Sequence, residues 1–119
     1  MAEKLKSVLL SLFSLSMVLL FTFLLSRVIF PRRYTPLMEK YCIEYGTDIS
    51  LVSALIKTES NFDSDAVSHA DAKGIMQLTD DTFDFCNAWL KVGDADIFNP
   101  EDNIRAGVWY LSYLLKRYD

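Results

Sequence analysis

Glu59 closes an apolar helical pattern, four residues after Leu55, three after Ile56 and seven after Val52. Helical spacing sets its carboxylate on the stripe that faces a core. A carboxylate there is poorly solvated and holds its proton more tightly than one in water. An acid still protonated near neutral pH can protonate a leaving oxygen, as cleavage of a glycosidic bond requires. The competing reading is an ordinary helix-end glutamate, either exposed or paired with Lys57. A two-carboxylate glycosidase needs a second acid at a set separation. Asp63, Asp65 and Asp71 are near in sequence, but their polar surroundings mark solvated turn residues. The residues therefore point to one acid without an evident mate.

The elements that must hold Glu59 are helices. Thr35-Pro36 reads as a capping hydroxyl with proline in the first turn. Leu37, Met38, Tyr41, Cys42 and Tyr45 then recur at helical spacing until Gly46. Asp48 caps a second helix with Ile49, Val52, Leu55 and Ile56 on one face. A third opens at Thr79 or Asp80, carries Phe83, Phe85, Cys86, Trp89 and Leu90, and is stopped by Gly93. Asn99-Pro100-Glu101-Asp102 starts a fourth, with Ile104, Val108, Leu111 and Leu115 as its stripe. No alternating strand pattern and no repeat occurs, so the fold class is all-α. Residues 61–78 lack periodicity, and long irregular loops are often functional.

Ahead of these helices, Ser7 to Ser26 is twenty residues without a charge, eight of them leucine. That length spans a bilayer core and exceeds the apolar region of a secretory signal. The flanking Arg-Val-Ile-Phe-Pro-Arg-Arg offers no small-residue cleavage site. The expectation is a membrane anchor over residues 1–33, spanning about 7–30, followed by one domain over 34–119. Lys4 and Lys6 before the span nearly balance Arg27, Arg32 and Arg33 after it, so charge bias does not orient it.

Residues 1–33 hold five Lys or Arg against one Glu, and residues 34–119 hold seven against fifteen acids, so +4 faces −8. An acidic domain argues against nucleic acid as partner. Cys42 and Cys86 make neither a disulfide framework nor a metal pattern, though a single bridge is allowed outside the cytoplasm. His69 has no second histidine or cysteine near it and reads as a solvated loop residue. No cofactor and no metal are expected.

The run Glu-Ser-Asn-Phe-Asp-Ser-Asp-Ala-Val-Ser from Glu59, then Gly74-Ile75-Met76-Gln77-Leu78, resembles the core signature of the soluble lytic transglycosylase (SLT) family. The later Asn-Ile-Arg-Ala-Gly-Val-Trp-Tyr-Leu from Asn103 resembles its next block. Together they cover about residues 36–118. The resemblance implies a lysozyme-like helical domain related to goose-type lysozyme. It implies that Glu59 is the single acid and base cutting between N-acetylmuramic acid and N-acetylglucosamine in peptidoglycan, leaving a 1,6-anhydro end. Ser60, Ser68, Met76, Gln77 and Tyr110 match positions beside the sugar groove. Each also has a bland reading, as helix-ending hydroxyl, turn residue, loop tie or core aromatic. The substrate places the domain outside the cytoplasm, on a single-pass anchor in the cytoplasmic membrane.

Two positions depart mildly from the family's pattern, Asp71 where glycine is common and Asp80 where proline is common. The larger departure is that the family's Ala-Tyr-Asn-Ala-Gly segment does not follow the Tyr-Leu pair. The far wall of the groove is therefore expected to be incomplete, with Trp109, Tyr110, Tyr113 and Leu114 facing solvent. Three readings follow: a membrane-anchored transglycosylase, a muramidase-like hydrolase on the same scaffold, or an inactive remnant that binds glycan. In the last case, or for activity, another protein or a second chain would complete the groove. A small helical membrane protein with a structural glutamate is the remaining alternative.

Overall fold

The computed structural model describes residues 1–29 and 32–118. Phe30, on which the expected membrane span ends, lies outside the described residues, as do Pro31 and the final Asp119. The chain divides into two compact units, one from Met1 to Arg32 and a second beginning at Arg33.

The first unit is a single helix, α1 (Ala2–Ile29), which buries none of its residues. It is apolar on all faces, and among the described residues it is the one helix long and apolar enough to cross a bilayer. Arg27 near its end lies over the ring of Phe23, 4.9 Å from the centroid.

The second unit is built from four helices: α2 (Thr35–Tyr45), α3 (Ile49–Ser60), α4 (Asp80–Leu90) and α5 (Pro100–Tyr118). Among the described residues there is no strand, only two isolated bridges in the loop before α4, Val67 with Lys73 and Lys73 with Leu78. The unit is all-α. α5 packs on both α2 and α4, and α2 packs on α3.

Local chemistry accounts for most helix ends. Asp48 accepts from the amides of Ser50 (2.7 Å) and Leu51 (3.0 Å) to open α3. The Thr79 hydroxyl accepts from Thr82 N at 3.4 Å to open α4. Asn99 accepts from Glu101 N (2.9 Å) and Asp102 N (3.2 Å) to open α5. Gly46 closes α2 in the left-handed region.

Three ends differ from the sequence expectation. α2 grows out of a 3-10 turn over Arg32–Tyr34, so Tyr34 is its cap residue and Thr35 makes no capping bond. α4 stops at Leu90 because Lys91, two residues before Gly93, turns left-handed with φ 54°. The α5 stripe holds for Ile104 and Val108, both fully buried, but Leu115 is exposed. Ser112 is buried in that turn instead, its hydroxyl donating to Tyr45 O at 2.7 Å.

Residues 61–79 are not a slack loop. They put Phe62, Ile75, Met76 and Leu78 into the core beside Val52, Ile56, Ile104 and Val108. Met76 lies against Gly107 of α5, where a Cβ would meet the Met76 sulfur at 2.4 Å. A glycine in a helix interior costs about 1 kcal/mol relative to alanine, and here it makes room for the turn. Cys42 and Cys86 are both buried free thiols. Burial pushes the Cys86 thiol up to about 11, so it is a neutral packing group at physiological pH.

Besides the Ser112–Tyr45 bond, a charged tie joins α2 to α5. The Glu101 carboxylate accepts from Lys40 Nζ at 2.8 Å and from the Tyr41 hydroxyl at 2.9 Å. These two donors, lysine first, hold Glu101 below the usual carboxylate range. A group whose folded value is depressed contributes stability above its unfolded value, about 4.3, and loses it as pH falls through the folded one. Glu101→Gln is expected to lower the thermal midpoint slightly at neutral pH, since both ion-pair side chains are about half exposed. The gap from wild type should close below about pH 4; a gap that stays constant down to pH 2.5–3, roughly, would remove the ion pair from the account.

Candidate active site

α3 delivers Glu59 on its last turn. The carboxylate is exposed and makes no hydrogen bond or ion pair with any described residue. This differs from the expected poorly solvated position. Val52 and Ile56 are fully buried, but one turn on from Ile56 the stripe continues into Ser60, not Glu59. Asn61 (φ 53°) and Phe62 (φ 64°) are then both left-handed, turning the chain so that Phe62 fills the core. Glu59 is left on the flank of the helix end. Lys57 pairs with Asn61 Oδ1, so the alternative pairing of Glu59 with Lys57 does not form.

Two consecutive left-handed residues that are not glycine cost on the order of 1–3 kcal/mol each. Among the described residues five that are not glycine have positive φ, and four of them (Asn61, Phe62, Asp71 and Gln77) lie between Glu59 and α4. Such backbone is held by its surroundings, and it concentrates at functional sites.

Ser60 is anchored inward. Its hydroxyl lies 2.7 Å from Ile75 O and 3.3 Å from Ile56 O, so the end of α3 is tied to the Gly-Ile-Met-Gln turn. Met76 is buried, and its amide donates to Asn103 Oδ1 at 2.8 Å. Gln77 uses its side-chain amide nitrogen to hold the loop, donating to Ala66 O (3.0 Å) and Gly74 O (2.9 Å). Its Oε1 has no hydrogen-bond partner among the described residues and is free to accept.

Ser68 is exposed, and its hydroxyl accepts from the amides of Ala70 (3.3 Å) and Ala72 (3.1 Å). No hydrogen bond joins it to Glu59. His69 is exposed. The two departures from the family's pattern meet at Lys73, which lies 2.6 Å from Asp80 and 3.6 Å from Asp71. Asp80 chiefly, with Asp71, raises the Lys73 ammonium above its ordinary value and keeps it charged. They clasp the loop to the start of α4. Among the described residues no cluster of His, Cys, Asp and Glu has the makings of a metal site.

Tyr110 stands apart from these residues, on α5 in an aromatic surface shared with α4. Its ring is 6.4 Å from Phe85 and 6.2 Å from Tyr113, and Trp89 stacks on Trp109 at 6.4 Å. It lines a groove of about 430 Å³ with Asp81, Thr82, Phe85, Tyr113 and Arg117. Glu59 is not among the residues lining it. Trp89 is 65% exposed, whereas Trp109, Tyr110, Tyr113 and Leu114 are half-buried.

Asn103 is the residue that spacing alone does not single out. It is fully buried, and its carboxamide also donates to Ile97 O (2.7 Å) and Lys73 O (3.2 Å). The available signal was a polar residue on the apolar face of α5, immediately before Ile104.

The helical unit, with Glu59 on the last turn of its second helix and an irregular segment folded back beside it, has a lysozyme-like fold, as its likeness to solved lytic transglycosylases shows. Residues 36–119 match the family described as transglycosylase SLT domain. The chain belongs to that family. It is 38% identical over 91 residues to membrane-bound lytic murein transglycosylase C of Sodalis glossinidius, covering 72% of this chain and 26% of the relative. Among solved structures it is similar to an inactive glutamate-to-glutamine mutant of lytic transglycosylase Slt from Pseudomonas aeruginosa. That match has a TM-score of 0.73 at 27% identity, over 78% of this chain and 16% of the other. The 70-kDa soluble lytic transglycosylase of Escherichia coli matches with a TM-score of 0.69 at 26% identity, over 75% and 15%. The chain thus spans about a quarter of the length of the curated relatives it matches.

Proposed function

We propose that this chain is a peptidoglycan lytic transglycosylase with Glu59 as its single acid and base. The observation that carries the reading is an exposed carboxylate, without a hydrogen-bond or ion-pair partner among the described residues, at the end of a helix pinned by Ser60. Relatives are named lytic murein transglycosylases, and in the Pseudomonas relative a glutamate-to-glutamine mutant is inactive. In the proposed reaction Glu59 protonates the glycosidic oxygen between N-acetylmuramic acid and N-acetylglucosamine, and that bond breaks. The resulting carboxylate takes the proton of the muramic C6 hydroxyl, whose oxygen closes on C1. A 1,6-anhydro end forms, the acid is regenerated, and no water enters.

The exposure of Glu59 assigns the desolvation step to the substrate. A glycan strand lying over the helix end would exclude water from the carboxylate and favour the protonated acid. The Gln77 Oε1 would accept from a sugar hydroxyl or acetamide N–H, and the Ser68 O–H remains able to donate. Met76 contributes by packing, and Tyr110 would offer its ring from the α5 face. α1 would be a single-pass anchor, with the domain in the extracytoplasmic space where its substrate is found.

Mass analysis of the products tests the reaction. Purified sacculi incubated with the protein should release muropeptides one water lighter than those of a hydrolase. Products of full mass would place water at the site and make the chain a muramidase. A second reading is favoured by the aromatic α4–α5 surface: a glycan-binding domain that a second chain or partner completes. It predicts binding to sacculi without cleavage by the protein alone.

A further inference from the structure

The peptide group between Ile75 and Met76 is held at both ends. Its C=O accepts from the Ser60 hydroxyl at 2.7 Å, and its N–H donates to Asn103 Oδ1 at 2.8 Å. A peptide unit is planar and stiff, so fixing the direction of the N–H fixes that of the C=O opposite. Asn103 is itself immobilised, because its amide nitrogen donates to both Ile97 O and Lys73 O. Ile75 and Asn103 are both 0% exposed, so water cannot substitute for either bond.

We propose that Asn103 of α5 is a positioning residue for Glu59, acting through the Ile75–Met76 peptide and the Ser60 hydroxyl. The proposal rests on Glu59 being the catalytic acid. Ser60 is the next residue in the chain and the last of α3, and beyond it Asn61 and Phe62 are left-handed, so no further helical turn follows to hold this end. The relay thus fixes the end of α3, and with it the backbone from which the Glu59 side chain projects. Misplacing a reacting group by about 1 Å costs on the order of a hundredfold in rate, so looseness here should appear in kcat.

The test compares Ser60→Ala, Ser60→Thr, Asn103→Ser and the Ser60→Ala/Asn103→Ser double variant in the full chain. Soluble glycan strands serve for kinetics, and backbone amide resonances serve as an activity-independent readout. The relay predicts a fall in kcat of roughly 10- to 100-fold in Ser60→Ala and Asn103→Ser with KM little changed. Ser60→Thr, which keeps the hydroxyl, should restore most of it. The double variant should be no worse than the poorer single one, because both break the same chain of bonds. Asn103→Ser should also move the Glu59 amide resonance, although the two residues lie on different helices. Folded variants in which the effects multiply, or in which Glu59 keeps its wild-type resonance, would overturn the proposal. If Asn103→Ser does not fold, Ser60→Ala decides it: the relay predicts faster hydrogen exchange at Met76 N–H, and unchanged exchange refutes it. If the wild type does not cleave strands, the enzymatic reading fails, while the resonance and exchange results still decide the relay.

Discussion

Glu59→Gln is expected to abolish strand cleavage while leaving the domain as stable as the parent. A positioned general acid or base contributes roughly 10²–10⁴-fold. Here one carboxylate would serve as acid for the leaving oxygen and then as base for the C6 hydroxyl, so the loss should reach or exceed the top of that range. The amide is nearly isosteric but neither gives up nor takes a proton at neutral pH. Stability should change by less than about 0.5 kcal/mol, because the side chain is exposed and has no partner to lose among the described residues. Product release from sacculi and a thermal melt, measured side by side, check both halves. Retained cleavage would remove Glu59 from the mechanism. A large drop in thermal midpoint would mean that the carboxylate has a structural role. Binding to sacculi should survive the substitution.

Gly74→Ala is expected to be the most damaging small substitution in the domain. Gly74 has φ +74°, a left-handed conformation that costs an L-residue about 1–2 kcal/mol. The added Cβ would also lie 2.3 Å from Asn103 Nδ2 and 2.5 Å from Ile97 O. Neither neighbour can yield, since that Nδ2 donates to that same carbonyl at 2.7 Å within the core. Overpacking of this kind costs about 1–3 kcal/mol more. A total of about 3 kcal/mol is a large share of the 5–15 kcal/mol that holds a domain together. The thermal midpoint should fall by more than about 12 °C, or the protein should fail to fold. Gly93→Ala is the control: a Cβ there meets nothing within 4 Å, so it should be near neutral. Equal melting of the two variants would show that the Gly74–Asn103 contact does not carry the turn.

These two expectations differ in how far the sequence reveals them. Glu59 is conspicuous because acid, apolar stripe and the neighbouring blocks occupy consecutive positions. The stripe does not give its solvation, because Leu55 and Ile56 indicate a helix face but not where the covering elements end. Gly74 is visible as one glycine in a familiar motif, yet the reason that nothing larger fits is Asn103, on another helix. The aromatic residues of α4 show the same limit. Phe83, Phe85 and Trp89 all look like core, but only Phe83 is buried, while Phe85 and Trp89 join an outer surface with Trp109 and Tyr113.

Features that depend on a few adjacent residues follow from the sequence itself. Asp48, Thr79 and Asn99 cap the helices that follow them, Gly46 ends one, and the long apolar run before Arg27 forms a helix without a polar face. Each is a contest between a side chain and backbone groups a few residues away, so spacing suffices to predict it. The tertiary structure alone decides how residues 61–79 fold back on α3 and α5. That placement sets Ser60 on Ile75 O, Met76 N–H on Asn103, and the Glu59 carboxylate in solvent. The partners are 15 and 27 residues apart. Bonds at that separation form only once a shared core has drawn their elements together, and no local pattern records them.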